Sequence, residues 1–192
     1  MVLDQIKDKI KLNIKPSRYI HSENVMEAAK NLAGIYGANV DKAAIAGILH
    51  DCAKGRTAKE LLSLCEKFDM HVDNIEKRQP ELLHGPVGAF IAEMDYGIKD
   101  EEILNAIRVH TTGKEDMNIL EKIVFLADYI EPGRNFPGVC EIREWACKDI
   151  DRAIIIALDT TIKYVIAMGG LIHPDSIGAR NYLLLQRANI QN

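Results

Sequence analysis

The stretch AGILHDCAKG, residues 46–55, runs small and aliphatic side chains straight into His50 and Asp51, with Lys54 three residues beyond. A segment that reads as buried helix has little use for two adjacent polar side chains at its end unless something binds them. Similar placements recur at His21 in RYIHSENV, His84 in ELLHGPVGA, His110 in AIRVHTTG and Asp128 in VFLADYIEP. Taken singly, each reads more readily as a hydrogen-bonded core residue. Six imidazoles and carboxylates buried together are costly unless a common positive charge holds them. Imidazole with carboxylate is the donor set of iron, manganese, zinc or cobalt, not of calcium. The remaining histidines stand apart: His71 is expected at the surface, and His173, just before Pro174, reads as a helix entry.

Basic and hydroxyl side chains flank this series. Lys54 lies four residues past His50 and three past Asp51, so it can reach the same face and meet a phosphate oxygen. Arg134, in EPGRNFPG six residues past Asp128, can clamp phosphate bidentately. Arg108, Thr111 and Thr112 around His110 are further candidates for substrate contact, with Arg78 and Lys114 weaker ones. Thr112 and Gly113 can equally well end a helix.

The elements that must position these groups are helical by periodicity, and convincing strands are hard to find. Pro16 suits an early helical position, followed by Ile20, Val25, Ala28, Ala29 and Leu32 on one side. Asp41 can cap the helix that ends near His50, and Thr57 with Glu60 forms a capping box. Asp100 opens a helix through Val109, and NILEKIVFLADYI is strongly amphipathic. KDIDRAIIIALDTTIKYVIAM reads as longer and more buried, closed by Gly169 and Gly170, and Pro174 starts a last helix. The pattern predicts an all-α chain of eight to ten helices forming one domain over residues 1–192. A metal-binding core is expected over about 16–135, with C-terminal helices from 140–192 packed on it. Segments 69–80 and 132–139 are the least regular, as substrate-facing loops often are.

Composition narrows the function classes. With 192 residues, 47% hydrophobic and 27% charged, the chain is ordinary for a soluble globular protein. A net charge of −4 argues against nucleic-acid binding, which needs a basic face, but leaves room for a local basic cluster toward a phosphorylated ligand. No apolar run approaches the ~20 residues that span a bilayer, and no signal peptide is evident. Four cysteines without a C-x-x-C pair suit a reducing cytosol and predict a cytoplasmic protein, the thiols serving as small buried apolar groups.

The order H … HD … H … H … D resembles the HD-domain metal-dependent phosphohydrolase superfamily. The strings RYIHSENVMEAA, AGILHDCAK, ELLHGPVGA, AIRVHTTG, LEKIVFLADYIEPGRNFPGV and LIHPDSIGARN resemble one branch of it, the YqeK family of bacterial symmetrical diadenosine tetraphosphate hydrolases. The resemblance implies an HD-domain helical bundle with two divalent metal ions. His21, His50, Asp51 and Asp128 would hold one, and His84 and His110, with Asp51 bridging, the other. A carboxylate has two oxygens and can bridge ions ~3.5–4 Å apart, which an imidazole cannot. Iron is the metal expected from the family, with manganese or cobalt compatible. The implied reaction is attack of a metal-bridging hydroxide on the central phosphoanhydride, yielding two ADP, with Asp51, Lys54 and Arg134 as catalytic groups. Alternatives are another nucleotide substrate (a nucleoside triphosphate, a cyclic dinucleotide or an alarmone), a diiron oxygenase, or a non-catalytic nucleotide sensor. The expected partner is a small nucleotide, with no nucleic acid and no membrane, and a homodimer is plausible.

Overall fold

The computed structural model describes residues 2–190. In chain order the helices are α1 (Leu3–Asn13), α2 (Pro16–Tyr36), α3 (Val40–Leu49), α4 (Ala58–Lys67), α5 (Asn74–Arg78), α6 (His84–Tyr96), α7 (Glu101–Val109), α8 (Ile119–Ile130), α9 (Val139–Ala146), α10 (Ile150–Ala167) and α11 (Pro174–Ile190). Ten of them are eight residues or longer; α5 is a single five-residue segment, followed by a 3-10 turn over Pro80–Leu83. No strand occurs among the described residues. The chain is all-α and a single domain, and none of the described helices is long and apolar enough to cross a membrane.

Local chemistry sets most boundaries. Pro16 begins α2 at its first turn, where a missing N–H costs nothing. Thr57 and Glu60 form the expected capping box, and Asp100 caps α7 through Glu102 and Ile103 N–H groups. α3 is capped two residues earlier than the sequence suggested: Asn39, not Asp41, accepts from Lys42 N at 3.0 Å. Asp41 instead lies inside the first turn, facing the positive end of the helix dipole.

The core is a layered helix bundle in which α2 packs on α3 and α8, α7 packs on α3, α6 and α8, and α10 packs on α8, α9 and α11. Two corrections to the periodicity reading follow. Ile20 is 59% exposed, because the buried stripe of α2 runs through Tyr19, Ser22, Val25, Met26, Ala29, Leu32 and Ala33. The helix buried along most of its length is α8, not α10. α8 is covered on several sides by α2, α3, α7 and α10, whereas α10 buries only its first half and leaves Tyr164, Ile166 and Met168 exposed. Cys52 and Cys65 are buried, as expected; Cys140 and Cys147 are exposed, since α9 and its C-cap turn those positions outward.

Glycines allow the closest helix contacts. A Cβ on Gly47 would stand 2.8 Å from Met26 Cα, so α3 reaches α2 only with hydrogen there. A Cβ on Gly85 would stand 2.7 Å from Arg108 O, which likewise lets α6 approach α7. These approaches bring the end of α3 against the middle of α2 and the start of α6 against the end of α7.

Candidate metal centre

His50 is the C-cap of α3 and His110 the C-cap of α7, while His84 opens α6. At all three positions Nδ1 meets the carbonyl three residues back: Gly47 O at 2.7 Å, Ile107 O at 2.7 Å and Glu81 O. A carbonyl can only accept, so each Nδ1 carries a proton and, in the neutral ring, each Nε2 keeps its lone pair. His21, on α2, reaches the same state differently, with Nδ1 3.2 Å from Glu131 Oε1. Four imidazoles thus present Nε2 inward, the orientation that a partner on the second ring nitrogen imposes on metal-binding histidines.

They converge on Asp51, whose carboxylate is divided between two pairs. Oδ2 lies 3.7 Å from His21 Nε2 and 3.5 Å from His50 Nε2. Oδ1 lies 3.2 Å from His84 Nε2 and 3.6 Å from His110 Nε2. Asp128 joins the first pair, with Oδ1 3.0 Å from His21 Nε2 and 3.9 Å from His50 Nε2. Groups of three donor atoms fall within 4.8 Å of one another at His21–His50–Asp51, at His50–His110–Asp128 and at Asp51–His84–His110. The sequence-derived six are therefore neighbours.

The donor set fits a divalent metal site. His21 Nε2 and His50 Nε2 are buried without a hydrogen-bond partner, a state that costs free energy unless a cation occupies the lone pair. Protons serve these rings unequally: against its burial, the Asp51 and Asp128 carboxylates draw the His50 imidazole upward. Burial, aided by His84 and His50, pushes the His110 imidazole down to about 4, so it stays neutral at pH 7. Burial alone would raise the Asp51 and Asp128 carboxyls. Where the facing rings carry a proton, His50, His110 and His84 hold Asp51, and His21, His50 and Arg134 hold Asp128, well below the usual carboxylate range; a metal cation would supply the same positive charge to rings whose Nε2 is bare. Lone-pair nitrogens around ionised carboxylates are the chemistry of a transition-metal centre.

Several supporting residues escaped the sequence reading. Arg18 Nη1 donates to Asp51 Oδ2 at 2.8 Å. Buried Glu131 accepts from Asn24 Nδ2 at 3.0 Å and from Gly133 N at 2.6 Å as well as facing His21. Arg143 ties that corner down by donating to Ile130 O, Glu131 O and Arg134 O. The signal was present as spacing: Arg18 and Asn24 lie three residues either side of His21, and Glu131 three past Asp128, each on a shared helical face.

The centre opens into a cavity of about 740 Å³ bordered by His84, His110, Asp128, Lys54 and Arg134 at its polar end. Lys54 arrives there by a different path from the one its spacing implied. α3 stops at Leu49, residues 50–55 run as turns with Lys54 N bonded to Asp51 O, and the Lys54 Nζ comes 3.2 Å from His84 Nε2. Burial pushes its ammonium down against the pull of Asp51 and Asp128. Arg134 donates to Asp128 O at 2.7 Å and to Asp128 Oδ1, leaving its guanidinium partly exposed to the cavity. Thr111 Oγ1 sits 3.1 Å from His84 Nε2 and 3.2 Å from His110 Nε2, while Thr112 borders the same space and gives its hydroxyl to Gly113 O. Arg108 lies elsewhere. It is exposed, bonded to Asn105, and borders a second cavity of about 630 Å³ that also takes in Lys114. His173 stays outside the centre, 3.3 Å from Asp73 Oδ2, and His71 is exposed.

Comparison with known proteins agrees with this arrangement. The HD domain family matches residues 18–133. A symmetrical bis(5'-nucleosyl)-tetraphosphatase of Halalkalibacterium halodurans is 44% identical over 178 residues, covering 93% of this chain and 95% of that protein. The protein of the same name from Bacillus subtilis is 39% identical over 175 residues, 91% of this chain and 94% of the other. A Clostridium acetobutylicum crystal structure, described as a "predicted HD superfamily hydrolase involved in NAD metabolism", superposes with a TM-score of 0.94 at 44% identity, over 97% of this chain and 98% of that one.

Proposed function

Since the chain belongs to the HD-domain family, in the branch whose curated relatives are named symmetrical bis(5'-nucleosyl)-tetraphosphatases, we propose that it hydrolyses diadenosine tetraphosphate at the central phosphoanhydride to give two ADP. It is a hydrolase acting on acid anhydrides. The observation that carries the reading is the division of Asp51 between two histidine pairs at the end of a cavity that Lys54 and Arg134 also face.

His21, His50, Asp51 and Asp128 would hold one divalent ion, and His84 and His110, sharing Asp51, a second; iron is the metal we propose. Ions held there would supply Lewis acidity toward phosphoryl oxygens and lower the pKa of water toward ~7. The chain's own groups do the rest. Lys54 and Arg134 place positive charge where the inner phosphates lie, and their worth is greatest as negative charge builds on the transferring phosphoryl group. Water oxygen bonds to one inner phosphorus as the bond to the central bridging oxygen breaks. That oxygen departs with the electron pair as part of one ADP, and the water oxygen remains on the other. Thr111, between the rings of His84 and His110, lies where a hydroxyl can orient water or a phosphate oxygen. A cytoplasmic location and a homodimer belong to the same proposal.

The test is a nucleotide panel assayed with ferrous iron without oxygen, with products separated by chromatography. ADP as the sole product from diadenosine tetraphosphate is expected. ATP with AMP in equal amounts would overturn the symmetrical cleavage, and no turnover of any dinucleoside polyphosphate would overturn the substrate.

A further inference from the structure

Beyond the metal centre, the large cavity also has apolar walls, with Leu82, Val165, Leu171 and Ile172 among them. One polar atom there is out of place. Gln79 Oε1 is buried and has no hydrogen-bond partner. Other neutral polar side chains of the cavity are occupied: Thr160 donates to Ile156 O at 2.8 Å, Thr161 to Ala157 O at 3.1 Å, and Ser176 to Thr112 O at 2.9 Å. Among the described residues bordering this cavity, Gln79 alone carries a buried polar atom without a partner. A buried amide oxygen left so costs free energy unless a ligand completes it.

Its position is set by the backbone on both sides. Gln79 N bonds to Ile75 O at 2.8 Å and Leu82 N to Gln79 O at 3.0 Å, so the residue is fastened between α5 and the 3-10 turn. From above, the α10–α11 connection closes on it: a Cβ on Gly170 would lie 3.6 Å from Gln79 Nε2 and 3.1 Å from Val165 Cγ1. The five residues from Gln79 to His84 run mostly through the 3-10 turn, which at ~2 Å per residue separates them by about 10 Å. That is room for a ribose and an outer phosphate between a base at Gln79 and an inner phosphate at the histidines.

From this geometry we infer that Gln79 reads the adenine base of the bound nucleotide. A primary amide offers one acceptor and one donor side by side, the complement of an adenine amino group and its neighbouring ring nitrogen, and glutamine pairs bidentately with adenine on this basis. Aliphatic walls cover the ring faces, and the amide, with Oε1 buried and Nε2 beside Gly170, meets the ring edge. With the amide oriented as in the structure, guanine sets its carbonyl oxygen against the buried Oε1, whereas an amide turned over would accept guanine, so the ADP-to-GDP ratio reads the orientation that the pocket imposes. The inference rests on the nucleotide reading above and adds the residue that makes the pocket selective between purines.

Calorimetric titration of the metal-loaded protein with ADP and with GDP tests it without requiring turnover. The wild type is expected to prefer ADP. Gln79→Leu should reduce the ADP-to-GDP affinity ratio by roughly ten- to a hundred-fold, the range of one bidentate base contact. Gln79→Glu, which offers only acceptors, should move the ratio toward GDP, whose ring and amino N–H groups both donate. Thermal unfolding of each variant separates this from loss of fold, since a collapsed pocket weakens both ligands alike and leaves the ratio unchanged. An unchanged ratio in both variants overturns the role of Gln79 even if diadenosine tetraphosphate is hydrolysed. Absence of hydrolysis with a Gln79-dependent ADP preference would overturn the proposed reaction instead, and support this inference.

Discussion

His84 Nε2 and His110 Nε2 stand 3.1 Å apart, while the Nδ1 of each ring faces a backbone carbonyl. Both carbonyls claim a proton, so two lone pairs point at each other across that gap, with Asp51 Oδ1 beside them. Within the chain only the Lys54 ammonium, 3.2 Å from His84 Nε2, and the Thr111 hydroxyl offer protons to that gap, and a metal cation shared by both rings would relieve the repulsion more fully. A chelator-treated sample is therefore expected to gain thermal stability on adding a divalent ion, by about 2.7 kcal/mol for each site when free metal is 100 times its Kd. Elemental analysis should return two ions per chain. One ion per chain, or an unchanged melting temperature, would reject the paired site.

Asp51→Ala should abolish both metals and activity, whereas His84→Ala should lose mainly one ion. The difference follows from one carboxylate serving two histidine pairs and one imidazole serving a single pair. Metal content measured on both purified variants decides the matter. Full metal content in the Asp51 variant would show that the carboxylate is not shared.

Glu131→Ala should weaken metal binding by about 10–100-fold, the usual effect of removing the partner that orients a liganding histidine. Asn24 and the Gly133 N–H lose their acceptor in the same substitution, so a stability loss of about 1–3 kcal/mol should accompany it. Metal titration and denaturant unfolding read the two effects separately. Unaltered metal affinity would mean that His21 needs no fixing by Glu131.

Lys54→Ala and Arg134→Ala should slow turnover on the order of 10²-fold, comparable to removing one transition-state donor elsewhere. Metals should remain, because neither side chain supplies a ligand in the proposed centre. The loss should fall on kcat more than on KM, since the phosphate charge they meet grows in the transition state. Steady-state kinetics with parallel metal analysis tests this; a pure KM effect would reduce both residues to ground-state binding.

Gly47→Ala should destabilise the fold by about 1–3 kcal/mol, the range for overpacking a filled contact. The added Cβ would meet Met26 Cα at 2.8 Å, and backbone cannot swing aside as a side-chain tip can. Unfolding in denaturant measures the loss. Wild-type stability in this variant would show that α2 and α3 separate without cost.

What the sequence determined by itself was local chemistry. Capping boxes, proline at a first turn and glycine after a last one act within a few residues, so the helices around His21, His50, His110 and Asp128 were legible in order, while the one that His84 opens, which lacks a side-chain cap, was not delimited. The types and sequence of donors also carried the resemblance to the HD family. Periodicity failed where burial depends on neighbours distant in the chain. Ile20 lies on the apolar side of a helical wheel yet faces out, and the apolar second half of α10 lies uncovered, because the packing partners of each helix are chosen elsewhere. The same limit hid Arg18, Asn24 and Glu131, whose spacing from the ligands was visible but whose targets were not. Only the tertiary structure decided that Asp51 turns one oxygen to each histidine pair, that four Nε2 atoms converge, and that Arg108 lies outside the large cavity that Lys54 enters. These follow from close approach of α2 to α3 and of α6 to α7, contacts between residues far apart in the chain that no local pattern encodes.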